Sequence, residues 1–364
     1  MNSAEIKSVD RLLALIEEKL SGVDKYKYKY LKEHGPLDFN GFSITFWINF
    51  EGDDGKSSVY LKIPKIIWDD NEIDFNSPIT KLDRTLAKNE FDSLNYLSEN
   101  WSRESGVSFI NPLGYIDEYN AILTERIYGD FFFNEFLNED FKRKMFRKSM
   151  EKAEEGLYKF GKSLREFHQK EIKKTIFNSN QVLKKPFSYL ETLKKYDLDQ
   201  AQLLLITQKL NEYKHTKYST SIVNNLKGID IRQLLTANDH RIYVIDPGKI
   251  SKNYIEVDLA RFIVTCRILY WGTFWILLKL FPSSRYEKRF MNGYNGADSF
   301  SAEALNIMIL KEILKHWKMA HVSLEKKKWP RLMKFFLRRF YVNRFYMFLF
   351  HNQITQSEKE RSLT

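Results

Sequence analysis

The sequence predicts an α+β chain of two lobes, a small N-terminal lobe built on an antiparallel sheet and a larger, mainly helical C-terminal lobe. Three observations lead there. Apolar residues alternate strictly at Phe42, Ile44, Phe46, Ile48 and Phe50, which is the period of a strand with one buried face. The alternation resumes at Val59, Leu61 and Ile63 after the turn residues Glu51-Gly52-Asp53-Asp54-Gly55, so the two runs form a hairpin. Further along, Leu157, Phe160, Gly161, Leu164 and Phe167 share one helical face, and a length of 364 residues is enough for two separate cores.

Composition narrows the class. The apolar and charged fractions are those of a folded protein. The net charge of +11, from 58 basic and 47 acidic residues, favours an anionic partner. The single cysteine, Cys266, excludes an intramolecular disulfide, and with no signal peptide at the start of the sequence a cytoplasmic location is expected. Ile268 to Leu278 is the most apolar run and is too short to span a bilayer, so it reads as a buried core helix. No zinc-ligand spacing, Gly-x-Ser-x-Gly elbow, Rossmann glycine fingerprint or Walker lysine loop occurs, which removes several enzyme classes.

Along the chain, Ile6, Leu12, Leu13, Leu15, Ile16 and Leu20 predict an opening amphipathic helix, and Asp24 to Tyr30 reads as a solvated connector. On the second strand of the hairpin, Lys62 points opposite to Leu61, and the alternation favours it over Lys65 for a place facing a cleft. Glu90 sits in a helix whose face is Phe91, Leu94 and Leu97, which can pack on the sheet. Residues 156 to 168 predict a long helix ending at His168, read as a structural histidine, and residues 169 to 223 are expected to be a helical insertion.

The stretch from Asn224 to Phe262 is the most informative. Gln233-Leu234-Leu235, a strand from Arg241 to Ile245, Asp246 followed by Pro247-Gly248, and Asp258-Leu259-Ala260-Arg261-Phe262 follow one another at fixed spacing. This layout resembles the catalytic loop and metal-binding strand end of kinase-like phosphotransferases, of the aminoglycoside and small-molecule type and of lipopolysaccharide kinases. VYLKIPK with its following helix, and AILTERIYGD after Asn111-Pro112-Leu113-Gly114-Tyr115, resemble the same family's lysine strand and inter-lobe hinge. The resemblance covers residues 42 to 320 and implies a two-lobed protein-kinase-like fold that binds ATP and Mg2+. It implies that Lys62, held in place by Glu90, neutralises the nucleotide phosphates, that backbone around Glu125 to Ile127 meets the adenine edge, and that Gly129 turns the chain into the next helix. Gln233 and Asp246 are the implied metal ligands, and Asp258 braces the loop.

One position departs from the family pattern. Gly228 lies five residues before Gln233 and eighteen before Asp246, where the catalytic aspartate should stand, and Leu226 replaces the loop histidine. Asp230 is two residues further on, where an extended segment returns to the same side. It either takes over the orienting role or is a loop carboxylate paired with Arg232.

The C-terminal part carries a separate signal. Val322 to Phe350 contain eight basic residues, one acidic residue and nine aromatics. With Pro330 as the first helical residue, Arg331, Lys334, Arg338 and Arg339 fall on one face and Leu332, Met333, Phe336 and Phe340 on the other. Residues 330 to 350 therefore suit an anionic membrane surface, which would make the protein peripheral on the inner face of the cytoplasmic membrane; docking on the helical lobe is the competing reading. Nucleic-acid binding has no accompanying motif. The expected organisation is an N-terminal helical extension over 1–40, a nucleotide-binding sheet lobe over 41–128, a helical lobe over 129–321 and a basic aromatic tail over 322–364. The expected function is ATP-dependent phosphorylation of a hydroxyl on a small-molecule or glycan acceptor, in bacterial envelope polysaccharide or lipopolysaccharide metabolism, with a catalytically inactive pseudokinase as the alternative.

Overall fold

The alternating run becomes a strand because each inward side chain finds an apolar partner beneath it. In the computed structural model, β3 (Ser43–Gly52) buries Ile44, Phe46, Ile48 and Phe50, and β4 (Gly55–Pro64) pairs with it antiparallel from Ser43↔Pro64 to Gly52↔Gly55. The structure describes residues 9–26, 29–39, 43–52, 55–64, 79–101, 106–134, 151–196, 198–226, 229–274, 284–295 and 300–363. Ile6, Phe42, Asp53, Asp54, Lys65, Gly228 and the end of the apolar run at Leu278 lie outside them. Two compact units are present, one of Met1–Asn134 with Arg232–Ile250 and one of Glu135–Ile231 with Ser251–Thr364.

The first unit opens with α1 (Val9–Ser21), whose Leu12, Ile16 and Leu20 pack on the apolar side of a sheet ordered β1 (Tyr30–His34), β3, β4, β7 (Ala121–Glu125), β6 (Pro112–Ile116), with β2 (Asp38–Phe39) beside β3. In the connector read from Asp24 to Tyr30, Asp24, Lys25 and Tyr30 are exposed as expected, but Tyr26 is not. Tyr26 is buried and its hydroxyl donates to Ser58 O at 3.3 Å, because its ring meets Phe50 edge-on at 5.6 Å and completes that core.

Helix α2 (Lys81–Asn100) begins at a capping box in which Thr80 and Asp83 satisfy each other's end of the chain. Its Ala87 and Leu94 pack with Ile110 and Ile122. A second sheet of the same unit runs β5 (Val107–Phe109), β12 (Ile242–Val244), β11 (Leu234–Ala237), β8 (Gly129–Phe131). This pairing groups Arg232–Ile250 with the sheet unit, whereas the sequence boundaries had left that segment in the helical lobe.

Gly129 stands three residues ahead of helical residues that begin at Phe132, but its own requirement comes from strand pairing. It is a residue of β8, and a Cβ there would lie 2.0 Å from Thr236 O of β11, so glycine is required by close strand approach.

In the second unit α3 (Glu151–Gln169) crosses α7 (Ser284–Tyr294) at two glycines. A Cβ on Gly161 would meet Phe290 O at 2.2 Å, and one on Gly293 would meet Tyr158 O at 2.0 Å, so the two backbones touch directly. Phe160, Phe262 and Phe290 fill the space around that crossing, with ring centroids 4.4 to 5.9 Å apart.

Residues 169 to 223 are not wholly helical. β9 (Lys173–Asn178) pairs antiparallel with β10 (Lys217–Leu226) around α4 (Ser179–Leu193) and α5 (Gln200–Glu212), and β13 (Ile250–Tyr254) lies on β10's other edge. The lysine-rich start of β9 hides its strand character, since only Phe177 of that strand is buried. The rest of the unit comprises α6 (Glu256–Phe274), α8 (Ala302–Lys326), α9 (Arg331–Phe336), a π-helical turn at Leu337–Val342 and α10 (Asn343–Leu363). Pro330 is the cap before α9 and not its first helical residue, since its ψ of 144° is extended. Among the described residues no helix is long and apolar enough to cross a membrane.

Candidate functional site

The sheet that buries Ile44, Phe46 and Ile48 on one face must present the intervening residues on the other. Thr45 pairs with Lys62, Trp47 with Tyr60, and across β7 Lys62 pairs with Ile122 and Tyr60 with Thr124. These six residues share the wall of one cavity of about 420 Å³ within the first unit. Ile110, Ile127, Leu235 and Ile245 contribute apolar surface to it, and Glu90 and Asp246 bring charge.

Lys62 is placed with little freedom because β4 is hydrogen-bonded on both sides. Its Nζ donates to both Glu90 carboxylate oxygens, at 2.7 and 3.0 Å, and lies 3.3 Å from Asp246 Oδ2. Glu90 reaches it from the middle of α2, on the face that also carries Ala87 and Leu94. Asp246 comes two residues after β12. Ile245 N–H donates to Gln233 O at 2.9 Å, and Gly248 takes a φ of 61° that lets the chain bend sharply after Pro247.

Exposure separates the three charged groups. The side chains of Glu90 and Lys62 are 11% and 22% exposed, whereas that of Asp246 is 40% exposed and can take a further ligand. Burial by itself would lower the Lys62 pKa, but Glu90 and Asp246 outweigh it and hold the ammonium above its usual range. For Glu90, burial is the largest influence and pushes the carboxyl up to about 7, with Lys62 opposing and Asp246 adding to the rise. The directions agree physically. Lys62 has two anions to itself, while Glu90 shares one cation with a second carboxylate.

The other expected site residues are distributed as follows. Glu125 and Ile127 both line the cavity. Glu125 N–H donates to Asn111 O at 3.0 Å and its carboxylate accepts from Lys25 at 2.8 Å, so its own N–H is already engaged. Gln233 is in the same unit, closing a 3-10 turn one step from β11. Asp230 belongs to the second unit, where it is 2% exposed and its Oδ2 lies 3.9 Å from Arg261 Nη2.

Asp258 holds the end of β10, its Oδ2 accepting the Leu226 N–H at 2.8 Å and lying 3.2 Å from His168 Nε2. The other nitrogen of His168 lies 2.8 Å from the Tyr294 hydroxyl, and the ring is buried, as expected of a structural histidine.

Trp47, Tyr60 and Arg126 are among the cavity residues that the sequence reading did not single out. Trp47 and Tyr60 stand beside Thr45 and Lys62 on the same face, a position the strand alternation already encodes. Arg126 is packed between aromatic rings, its guanidinium carbon 4.4 Å from the Trp47 ring centre and 4.6 Å from that of Tyr128. Only the three-dimensional structure brings that stack together.

No family model and no curated protein matches the sequence. Solved structures do match its fold. A macrolide 2'-phosphotransferase from Brachybacterium faecium is 12% identical, covers 91% of this chain and 98% of its own, and superposes with a TM-score of 0.51. A glucosamine kinase in complex with glucosamine, ADP and inorganic phosphate is 10% identical, covering 95% of this chain and 86% of its own with a TM-score of 0.52. At such identities the likeness is one of fold.

Proposed function

The fold premise is that of the kinase-like phosphotransferases, and from it we propose that this chain transfers the terminal phosphoryl group of ATP to a hydroxyl of a small molecule or glycan. The observation that carries the reading is the Lys62–Glu90–Asp246 cluster at the charged end of an otherwise largely apolar cavity. A nucleotide needs both ends, apolar walls for the base and fixed charge for the phosphates. Ile127 is the backbone position proposed to meet the base edge, and Lys62, fixed by Glu90, the group that holds phosphate oxygens.

Among the described residues no group of three or more His, Cys, Asp or Glu could hold a metal by itself. The half-exposed Asp246 carboxylate at the cavity fits Mg2+, which is commonly held by one or two protein oxygens together with phosphate oxygens. Asp246, with its exposed carboxylate, and Gln233 would hold it, and its chemistry there is neutralisation of charge on the transferring group. Asp230 is the only acidic side chain from Asn224 to Leu235 and is the proposed orienting group for the acceptor hydroxyl. A glycan of a bacterial envelope pathway remains the proposed acceptor class, with sugar hydroxyls supported by the glucosamine bound in a protein of like fold.

A second reading has its own support. With glycine at position 228 and Asp230 buried beside Arg261, a nucleotide-binding pseudokinase would show the same sheet-unit geometry. Acceptor-dependent release of ADP, measured across amino sugars, amino alcohols and oligosaccharides, separates the two. The phosphotransferase reading expects release that Asp246→Asn abolishes; ATP binding without release on any acceptor would favour the pseudokinase.

A further inference from the structure

The tail divides into two halves with opposite surroundings. α10 is docked, with Phe345, Leu349, Phe350 and Ile354 all buried, and Asn343 accepts from Trp317 Nε1 at 2.9 Å while donating to Tyr196 O at 3.0 Å. That half satisfies the docked-helix reading. In α9 and the π-helical turn no residue is buried. Leu332 is 67% exposed, Met333 51%, Phe336 50% and Phe340 45%, and Trp329 and Tyr341 are exposed beside them. A short segment anchored at its C-terminal end by a buried polar lock therefore displays large apolar side chains to solvent, at a cost in free energy that asks for a covering partner.

Charge identifies the partner. From Lys326 to Arg344 there are eight basic residues and no acidic one. The neighbouring Glu325 is already engaged by Lys334 and Arg338. A second copy of this chain meeting the same patch across a two-fold axis would set these cations against their own copies. A nucleic acid would use the cations and leave Leu332 and Met333 without a role. A bilayer of anionic lipid uses both, since phosphate headgroups meet the cations while aliphatic and aromatic side chains enter the acyl boundary. Trp329 and Tyr341 are of the type that settles at that boundary.

We infer that residues 326–341 form an interfacial anchor that seats this protein on an anionic bilayer without crossing it. The inference is independent of phosphoryl transfer, because every residue it uses lies in the second unit and none lines the cavity.

The test uses the full chain with vesicles of phosphatidylcholine alone and of phosphatidylcholine mixed with phosphatidylglycerol, read by co-sedimentation. Partitioning should be at least roughly tenfold stronger on the anionic vesicles and should fall as salt rises. Two exposed-residue variants divide the contributions without touching the core. Leu332→Ser with Met333→Ser and Phe336→Ser should weaken binding on anionic vesicles, and Lys327→Gln with Lys328→Gln and Arg331→Gln should remove the preference for anionic lipid. Failure of the unsubstituted protein to sediment with either vesicle overturns the inference. So does full binding by the serine variant, or a concentration-dependent dimer that the serine variant abolishes.

Discussion

The cavity of the sheet unit and the loop of the helical unit match the proposed phosphoryl transfer to different extents. In the first, a lysine, its helix glutamate and a strand-end aspartate converge within 3.3 Å on one ammonium nitrogen. In the second, Asp258 and His168 still brace the chain at Leu226, yet glycine stands where an acceptor-activating carboxylate is expected and Asp230 is buried next to Arg261. The contrast teaches that binding a nucleotide and activating an acceptor are separable roles, which can be tested one at a time. Phosphoryl transfer depends mainly on positioning and electrostatics, so an altered base slows the reaction without forbidding it.

Substitutions can sharpen that contrast. The largest effect is expected at Asp230. If it orients the acceptor hydroxyl, Asp230→Asn should lower turnover by about 10²-fold with ATP affinity unchanged. Unchanged turnover in that variant, together with a large gain from Gly228→Asp, would instead make the helical-unit loop a degenerate one.

A smaller effect is expected from Gly161→Ala. Its Cβ would have to displace Phe290 O from 2.2 Å, so the helical unit should lose about 1 to 3 kcal/mol, seen as a lower Tm, while nucleotide affinity in the sheet unit is retained. A parallel loss of nucleotide affinity would contradict the separation of the two roles.

The last effect is on pH dependence. Glu90 titrates near 4.5 when unfolded and at about 7 in the folded chain, so the native state binds the extra proton between those values. Stability relative to Glu90→Gln should therefore fall as pH rises from 4.5 to 7, by at most about 1.4 kcal/mol per pH unit, and level off above. Melting curves of both proteins across that range would show a flat difference if Glu90 were an ordinary surface carboxylate.

Much of this was legible in the sequence where local rules and packing agree. Residues 43–50 and 59–63 alternate because one face is core, and that same parity sends Lys62 toward the cavity. The Asp246 strand end and the Asp258 helix start were legible from the resemblance in spacing, and Asp246 does come two residues after β12 and Asp258 in the first turn of α6. What was hidden depended on distant partners. Tyr26 looks like part of a solvated connector until Phe50 is placed beside it, and Arg126 gains its role only between Trp47 and Tyr128. β9 begins with two lysines and has no local sign of its pairing with β10, which lies some forty residues away. The tail showed its mixed apolar and basic character, but not that its C-terminal half is buried and its N-terminal half exposed.

The measurement that bears most directly on the central claim is a calorimetric titration of ATP with and without Mg2+ into the intact protein and into Lys62→Ala. The account predicts magnesium-dependent binding by the intact protein that the substitution weakens by tenfold or more, as expected for loss of a charge-assisted contact worth about 1.5 to 3 kcal/mol. No binding by the intact protein, or binding that Lys62→Ala leaves unchanged, would contradict it.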